Sequence, residues 1–288
     1  MTASSGHDPA PACLCPGDCQ PDAAGVNPFL RTAVLGRRLL FFPELASTNL
    51  TAAERGAAGE SEGLTVVADH QAAGRGRMAR TWFSPPNRNL YVTILLRPPL
   101  PPVAIPQLAI VAAIAIRRAI RELRPDLPIA IKWPNDLLVN GRKLCGILCE
   151  MTCEGHKTSH AVVGFGVNAN VGDAEWPPEL RQTAVSLRSA TGQTVNRARL
   201  LAAILNHFEP VYQEWITTQN LNMIHSEWQS ASALDGKIVT ITQFEQTITG
   251  LAQGITPEGA LVILRPDGTR KIIHAGDAHI GARPEHNA

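Results

Sequence analysis

Hydrophobic residues recur along the chain in short runs that have the length of β-strands. Apolar runs of about four to eight residues, bounded by Gly, Pro or polar clusters, predict buried strands. Such runs lie at residues 37–42, 64–69, 89–96, 129–133 and 160–168. A β-hairpin is predicted over residues 136–151, because its Asn-Gly pair at 140–141 favours a type I′ turn between two apolar stretches.

Three further segments show helical patterns. The polar run Ser47-Thr48-Asn49 supplies cap residues for a helix that reaches about residue 58. Residues 104–123 contain the longest apolar run, nine residues at 108–116, which is shorter than the ~20 residues that cross a membrane. We therefore expect a buried helix there. Residues 196–229 repeat apolar side chains at helical intervals, and we expect them to be mostly helical.

The pattern changes at both ends of the chain. Residues 1–35 lack apolar periodicity and are rich in Pro, Ala, Gly and Asp, which predicts a disordered leader. Over residues 234–288, short β-like runs such as KIVTI and LVILR alternate with Gly and Pro-Asp-Gly turns, which predicts a small barrel-like β domain. Residues 36–233 then form a catalytic-sized domain of the α+β class.

Charge narrows the classes of partner. The chain has 288 residues and a net charge of +1 at pH 7, so it lacks the overall basic field that attracts nucleic acid or an anionic membrane. We expect neither as a partner, and any anion site must be local. No basic residue precedes Arg31, and no apolar core of a secretory signal lies there, so we expect a cytoplasmic protein with reduced thiols.

The six cysteines fall into two groups. Cys13, Cys15 and Cys19 lie in CLCPGDC and could share a metal ion, but no His or Cys pair completes a ligand set nearby, and composition favours a mobile tail. The second group alternates with apolar residues along one face of a predicted strand, where buried free thiols are expected. This face consists of Cys145, Ile147, Cys149, Met151 and Cys153.

The segment GRGRMARTW, residues 74–82, places three arginines in a loop that follows a predicted strand. Gly74 and Gly76 permit positive φ angles and a close approach of the backbone to a ligand. The guanidiniums of Arg75 and Arg77 can hold a phosphate or a carboxylate through paired hydrogen bonds. A solvated basic loop is the alternative.

The segment KWPND puts a cation and a carboxylate at the end of another strand. Pro134 stops strand pairing, so Asn135 and Asp136 can turn inward beside Lys132. An ammonium for an α-phosphate and a carboxylate for magnesium suit a nucleotide site. A strand-end ion pair is the alternative. Lys143, just after the hairpin turn, is a further cation that could converge on this site.

Taken together, these segments resemble biotin protein ligases. GRGR-x-x-R-x-W, KWPND and K-x-x-G-I-L-x-E follow STN in that order, and the resemblance covers about residues 37–282. It implies a biotin/lipoate ligase-like catalytic domain, a mixed β-sheet with flanking helices, followed by a small SH3-like β-barrel. It also implies a magnesium-dependent enzyme that forms biotinyl-5′-AMP from biotin and ATP. The enzyme would then transfer biotin to one lysine of a biotin carboxyl carrier protein domain of a carboxylase.

The resemblance also implies roles for individual residues. Biotin would be held by Ser47, Thr48, Asn49, Gln71, Arg75, Gly76, Arg77, Lys143 and Gly146. The nucleotide would be held by Trp82 beside adenine and by Lys132, Asn135, Asp136 and Asn168, with Asp136 as the magnesium ligand. Catalysis would depend on the cations Lys132, Lys143, Arg75 and Arg77. Clustered cations offset the repulsion between the carboxylate of biotin and the α-phosphate, and a closing loop excludes water from the adenylate.

Two features depart from the family pattern or vary within the family. Ala79 stands where the family usually has glycine, and a positive φ at that position would cost on the order of 1 kcal/mol. Some members carry an N-terminal winged-helix DNA-binding domain. About 36 residues precede the catalytic region here, too few for such a domain, so we expect the enzyme-only type. The identity of the carrier and the formation of a homodimer stay open.

Three other functions remain to be distinguished. A lipoate or octanoate ligase or transferase would share the fold but not the GRGR and KWPND pair in this form. A biotin-sensing regulator would bind the adenylate without transferring it. A carrier-binding module without activity would have no need of Lys132, Asp136 and Lys143.

Overall fold

The computed structural model describes residues 19–243 and 246–281. Its first part contains α1 (Ala23–Val26), β1 (Leu39–Leu45), α2 (Thr48–Ala57), β2 (Thr65–Gln71), β3 (Leu90–Leu96), α3 (Leu108–Leu123), β4 (Ile129–Lys132), β5 (Asp136–Val139), β6 (Arg142–Glu154) and β7 (Lys157–Val167). The second part contains α4 (Leu187–Thr191), α5 (Arg197–Thr218), α6 (Asn222–Ala231), β8 (Ile238–Gln243), β9 (Gln246–Ile255), β10 (Leu261–Leu264), β11 (Arg270–Ile273) and β12 (Asp277–Ile280).

The first seven strands form a mixed sheet in the order β1-β2-β3-β7-β6-β5-β4. Strand β1 runs parallel to β2, and every other neighbouring pair is antiparallel. Parallel neighbours need a crossover connection, which α2 provides here. In the turn between β5 and β6, Asn140 has φ 51° and Gly141 has φ 78°, as the type I′ prediction requires. The α+β class and the mixed sheet with flanking helices are confirmed.

The apolar helix predicted at residues 104–123 lies in the core. Residues 102–107 form a 3-10 turn that leads into α3, and eleven of the sixteen residues of α3 are buried. By length and composition the stretch from 102 to 123 could cross a membrane, but most of it is buried inside the protein. It packs against α5 and the sheet as a core helix, because α5 presents its own apolar face to it.

The prediction of a disordered leader is wrong for residues 19–35. Three of its apolar side chains, Val26, Leu30 and Leu35, belong to the main hydrophobic core. The carboxylate of Glu209 on α5 accepts the backbone N–H groups of three successive leader residues. The segment packs largely as irregular structure, so its buried residues have no helical or strand period in the sequence.

The face of thiols predicted on β6 is buried at only one end. Cys145 is buried and Cys149 is half-buried, but Met151 and Cys153 are exposed. Strand β5 pairs with β6 only as far as Gly146, so the far end of β6 has β7 as its one strand neighbour among the described residues. The prediction of burial is therefore wrong for the last two side chains. Burial raises the pKa of Cys149 to about 12.

The metal hypothesis for the leader concerns Cys13, Cys15 and Cys19, of which the first two lie outside the described residues. Within residues 19–243 and 246–281, no group of three His, Cys, Asp or Glu side chains is placed to hold a metal ion. The hypothesis of a leader metal site stays an untested prediction.

The last five strands form an antiparallel sheet in the order β11-β10-β9-β8-β12. Over the described range, the outer strands β11 and β12 do not pair with each other. The predicted small β domain is therefore present as an open five-stranded sheet over these residues. The indole Nε1 of Trp133, next to β4, donates a hydrogen bond to the carbonyl of Gly259 at 3.0 Å. This buried contact joins the two sheets.

Candidate active site

One cavity of about 250 Å³ gathers all of the residues predicted for the site. The predicted residues on its wall are Ser47, Thr48, Asn49, Gln71, Arg75, Gly76, Arg77, Trp82, Lys132, Asn135, Asp136, Lys143, Gly146 and Asn168. Their separate roles toward biotin and nucleotide stay predictions. The sheet order explains their convergence, because it brings strand ends and loops that are far apart in the chain to the same place.

The STN segment brings the start of α2 to this cavity. Ser47 is the N-cap residue, and its side chain makes no capping hydrogen bond. The backbone N–H of Thr48 donates to Oε1 of Gln71 at 2.9 Å. The amide nitrogen of Gln71 in turn donates to Oγ of Ser84 at 3.3 Å, and this hydroxyl donates to the carbonyl of Trp82 at 3.0 Å. Donors and acceptors therefore alternate from Thr48 through Gln71 and Ser84 to Trp82, and we call these four residues beside the cavity the polar floor.

The arginine loop is closed at its base by backbone hydrogen bonds. The N–H of Trp82 donates to the carbonyl of Gly74 at 2.9 Å, and the N–H of Gly76 donates to the carbonyl of Arg80 at 2.6 Å. At the tip, Met78 and Ala79 have φ 55° and 56°. The conformation that would favour glycine is thus present at Ala79. For an L-residue it costs roughly 1–2 kcal/mol.

The C-terminal sheet takes part in the site through β12, which sequence reasoning did not foresee. Arg77 donates to Oδ1 of Asn135 and to the carbonyl of Gly276, both at 3.1 Å. The carboxylate of Asp277 lies 3.6 Å from Arg77 and pairs directly with Arg80. Burial lowers the pKa of Arg77, and Asp136 partly opposes that effect. The loop is therefore held between the two sheets.

The KWPND segment forms the turn between β4 and β5. Trp133 is buried and precedes a cis peptide bond to Pro134. The amide nitrogen of Asn135 donates to the carbonyl of Ile147 at 2.7 Å, which holds this residue inward. Lys132 and Asp136 are register partners on the two strands. The inward turn inferred from the proline is confirmed.

Two lysines and one carboxylate meet on this side of the cavity. The ammonium of Lys143 lies 2.7 Å from Oδ1 of Asp136 and 5.3 Å from the ring centroid of Trp82. Burial lowers the pKa of Lys132; Asp136 opposes this, whereas Lys143 and Arg80 add to it. Asp136 therefore pairs with Lys143 rather than forming the strand-end ion pair with Lys132 that was the alternative. The expected convergence of Lys143 on the site is confirmed.

Glycines on β6 and β7 make room for the indole of Trp82. A Cβ at Gly146 would lie 2.8 Å from Cζ3 of Trp82 and 3.1 Å from Cε of Lys143. A Cβ at Gly166 would lie 2.7 Å from Cζ2 of Trp82. Gly166 lies in the strand predicted at residues 160–168, but no role was predicted for it from the sequence. The signal was present, because a glycine within an apolar strand indicates close approach of another group.

Asn168 supports the backbone of β6. Its amide nitrogen donates to the carbonyl of Lys143 at 3.1 Å, and its backbone N–H donates to the carbonyl of Leu144 at 2.9 Å. The side chain of Asn89 lies 3.4 Å from its amide oxygen. Asn168 thus holds the strand that carries Lys143, in addition to lining the cavity.

Two segments of this chain match known protein families. Residues 42–168 match the Biotin/lipoate A/B protein ligase family, and residues 236–281 match the Biotin protein ligase C terminal domain. The bifunctional ligase/repressor BirA of Bacillus subtilis (strain 168) is 36% identical over 252 residues, 88% of this chain and 77% of BirA. This chain belongs to the biotin/lipoate A/B protein ligase family.

One further relative and one solved structure that are similar to this chain are named as biotin ligases. The biotin--[acetyl-CoA-carboxylase] ligase of Paracoccus denitrificans is 34% identical over 244 residues, 82% of this chain and 99% of that protein. The biotin protein ligase from Aquifex aeolicus in complex with biotin and ATP has a TM-score of 0.74 and 27% identity, and the match covers 86% of this chain and all of that one. The predicted resemblance to biotin protein ligases is confirmed.

Proposed function

We propose that this chain activates biotin with ATP and transfers it to a carboxylase. A carboxylate oxygen of biotin attacks the α-phosphorus, the bond between the α-phosphorus and the bridging oxygen breaks, and pyrophosphate leaves. The amine of a carrier lysine then attacks the carbonyl of biotinyl-5′-AMP, loses a proton and releases AMP. The observation that carries this proposal is the meeting of Lys132, Lys143 and Arg77 in one cavity beside a polar floor.

The cations act on the repulsion between the two reacting anions. A carboxylate and a triphosphate approach each other only where positive charge is already in position, and pre-positioned charge lowers the barrier most when little reorganisation is needed. Lys132 and Lys143 are attached to strands, so their backbones are in place before the substrates bind. The uncharged head of biotin carries N–H donors and a carbonyl acceptor, which suit the alternating groups of the polar floor.

The arginine loop protects the adenylate from hydrolysis. Mixed anhydrides react with water, so a loop that covers the intermediate preserves it for the carrier lysine. Arg77 reaches both Asn135 beside β5 and Gly276 before β12, so the loop already lies over the cavity. In binding the adenylate, the guanidiniums would exchange protein oxygens for phosphate oxygens.

Magnesium is part of this proposal through Asp136. Mg²⁺ usually binds one or two carboxylates together with substrate phosphates, so the carboxylate of Asp136 in the cavity fits the ion. Asp136 would hold it on the nucleotide side, next to Lys143. When bound, the ion neutralises phosphate charge and orients the phosphates. We also propose a biotin carboxyl carrier domain as the protein partner and a cytoplasmic location.

One experiment separates this function from the alternatives. The full chain is incubated with ATP, Mg²⁺, labelled biotin and a carrier domain, and both pyrophosphate release and carrier labelling are measured. We expect both, dependent on biotin and insensitive to excess lipoate. Pyrophosphate release without carrier labelling would instead indicate a sensor of the adenylate. Suppression of labelling by lipoate would indicate a lipoate enzyme, and absence of both signals would contradict ligase activity.

A further inference from the structure

Side-chain contacts run around the cavity from one side of the arginine loop to the other. Successive contacts within hydrogen-bond distance join Arg75, Glu150, Asn49, Thr93, Thr48, Gln71 and Ser84, and Ser84 reaches the carbonyl of Trp82. We call this set the polar ring. The sequence indicated no role for Glu150 or Thr93, although Glu150 closes the K-x-x-G-I-L-x-E segment.

Asn49 is the central member of the polar ring. Its amide nitrogen donates to the carboxylate of Glu150 at 2.7 Å and to the carbonyl of Leu148 at 3.2 Å. Both neighbours can only accept, so they fix which end of the amide is the nitrogen. Both N–H groups of the Asn49 side chain are thereby used inside the protein. This arrangement makes Asn49 a support for its neighbours rather than a direct donor to biotin.

Thr93 holds the other end of the same amide. It is fully buried on β3, and its Oγ1 lies 2.7 Å from Oδ1 of Asn49 and 2.8 Å from Oγ1 of Thr48. An amide oxygen can only accept, so the single proton of the Thr93 hydroxyl is committed to Asn49. Gly164, the register partner of Thr93 on β7, has no side chain and leaves the space that the Asn49 amide fills.

Glu150 connects this buried part to the arginine loop. The same carboxylate oxygen that accepts from Asn49 lies 3.4 Å from Nη2 of Arg75. The carboxylate and the guanidinium are both substantially exposed, so their pairing contributes little free energy. The contact with Asn49 is shorter and has a charged acceptor, which is the stronger class of hydrogen bond. Glu150 therefore acts mainly through Asn49.

We propose that Glu150 and Thr93 are positioning residues for the biotin side of the cavity. They fix the amide of Asn49 from both ends, and this fixes Thr48, which lies beside Gln71, at the start of α2. The assignment of this wall to biotin rests on the proposed function. The geometry predicts that loss of either positioning group weakens biotin binding while leaving the nucleotide side, around Lys132 and Asp136, unchanged.

The test compares biotin affinity in pairs of variants by titration calorimetry without ATP, together with the KM for ATP in pyrophosphate release. Glu150→Ala removes the acceptor, and we expect the Kd for biotin to rise about tenfold, equivalent to 1.4 kcal/mol. Glu150→Gln keeps an acceptor oxygen for Asn49 and should stay within about threefold of wild type, because the exposed ion pair that it removes contributes little. Glu154→Gln, four residues along the same strand, is the matched control.

A second pair of variants, at Thr93, tests the same inference even if the Glu150 variants fail to fold. Thr93→Val removes the hydroxyl at nearly constant volume and should also raise the biotin Kd about tenfold. Thr93→Ser retains the hydroxyl and should largely restore the affinity. In all variants we expect the KM for ATP to change by less than about twofold, well below the tenfold effect that corresponds to 1.4 kcal/mol.

Three results would overturn the inference: unchanged biotin affinity in both Glu150→Ala and Thr93→Val, equal losses for biotin and ATP, or no recovery in the conservative variants. Absence of biotin binding by the wild-type chain would overturn it together with the proposed function. Biotin binding without pyrophosphate release would contradict the proposed function alone. The Kd for biotin of each variant, compared with that of the wild type, would still test the positioning role.

Discussion

The indole of Trp82 packs against the backbone of Gly166, and no space remains between them for a methyl group. A Cβ at residue 166 would lie 2.7 Å from Cζ2 of the indole and nearer still to Nε1. The indole also lies under the ammonium of Lys143, so the position of the indole affects the position of this cation. The absence of a side chain at Gly166 thus allows the indole of Trp82 to take its position in the cavity lining.

We expect Gly166→Ala to displace Trp82 and to lower kcat/KM for biotin by at least about tenfold. Overfilling a packed site typically costs about 1–3 kcal/mol, and a tenfold loss corresponds to 1.4 kcal/mol. Biotin-dependent pyrophosphate release measures the effect. Gly281→Ala is the control, because its added methyl would meet nothing closer than 3.8 Å. Equal activity of the two variants would show that Trp82 can move without consequence.

Replacement of Lys132 by methionine should remove the charge while keeping most of the side-chain volume. We expect the rate of adenylate formation to fall about 10²- to 10³-fold, or roughly 3–4 kcal/mol, with little change in the unfolding midpoint. Single-turnover formation of biotinyl-5′-AMP is the measurement. Lys157→Met, at an exposed position where β7 begins, serves as the control. Normal adenylate formation by Lys132→Met would exclude a role for this ammonium in the chemical step.

Arg197 and Asp69 form a buried ion pair at 2.8 Å, with side-chain exposures of 4% and 10%. Asp69 also accepts the backbone N–H of Asn87. We expect Arg197→Ala to lower the free energy of unfolding by about 3–5 kcal/mol, because the carboxylate of Asp69 would stay buried without this partner. Denaturant unfolding compares this variant with Arg199→Ala, which removes an exposed arginine of the same helix. A similar stability of both variants would argue against the pair as a major support.

Removal of the leader should destabilise the protein once residues 19–35 are lost. A chain that begins at residue 36 lacks Val26, Leu30 and Leu35, each contributing about 1.5–3 kcal/mol of apolar burial. We expect its unfolding midpoint to lie on the order of 10 °C below that of a chain that begins at residue 19. Differential scanning fluorimetry of the two truncations measures the difference. Equal midpoints would mean that the leader packs without contributing stability.

Stability should fall on mild acidification because of His160. This residue is buried, and its ring packs against the backbone of Gly56. Burial lowers the pKa of His160, and the charge of Arg97 lowers it further. The unfolded chain binds a proton at a pKa of about 6.5, whereas the folded protein resists protonation. The free energy of unfolding therefore falls as the pH decreases from about 6.5 through the lower folded pKa.

The contribution of His160 is isolated by difference. Unfolding midpoints between pH 7.5 and 5.5 are compared for the wild type, His160→Gln and His156→Gln, the last of which removes an exposed histidine. We expect the loss of stability with falling pH to be smaller in His160→Gln than in the other two proteins. The same pH dependence in all three would assign the acid sensitivity to other groups.

Local sequence determined most of the elements that carry the site. Short apolar runs predicted most of the strands between residues 36 and 233, and helical periods of apolar residues predicted the helices within residues 104–123 and 196–229, because burial in a core imposes those patterns on the chain. Asn140 and Gly141 specified their turn through the positive φ angles that they tolerate. The residues of STN, GRGR and KWPND were identified from their chemistry and order, and all of them except Gly74 line the same cavity.

Tertiary structure decided what depends on contacts between distant parts of the chain. Val26, Leu30 and Leu35 are buried without any sequence period, Asp277 reaches Arg77 and Arg80 from β12, and Met151 is exposed where β6 extends past β5. None of these follows from local pattern, because each depends on which element lies next to which. The sequence by itself thus determined the segments and their chemistry. Sheet order and domain packing determined which side chains meet, since hydrogen bonds and ion pairs form only between groups that the fold brings within a few ångströms.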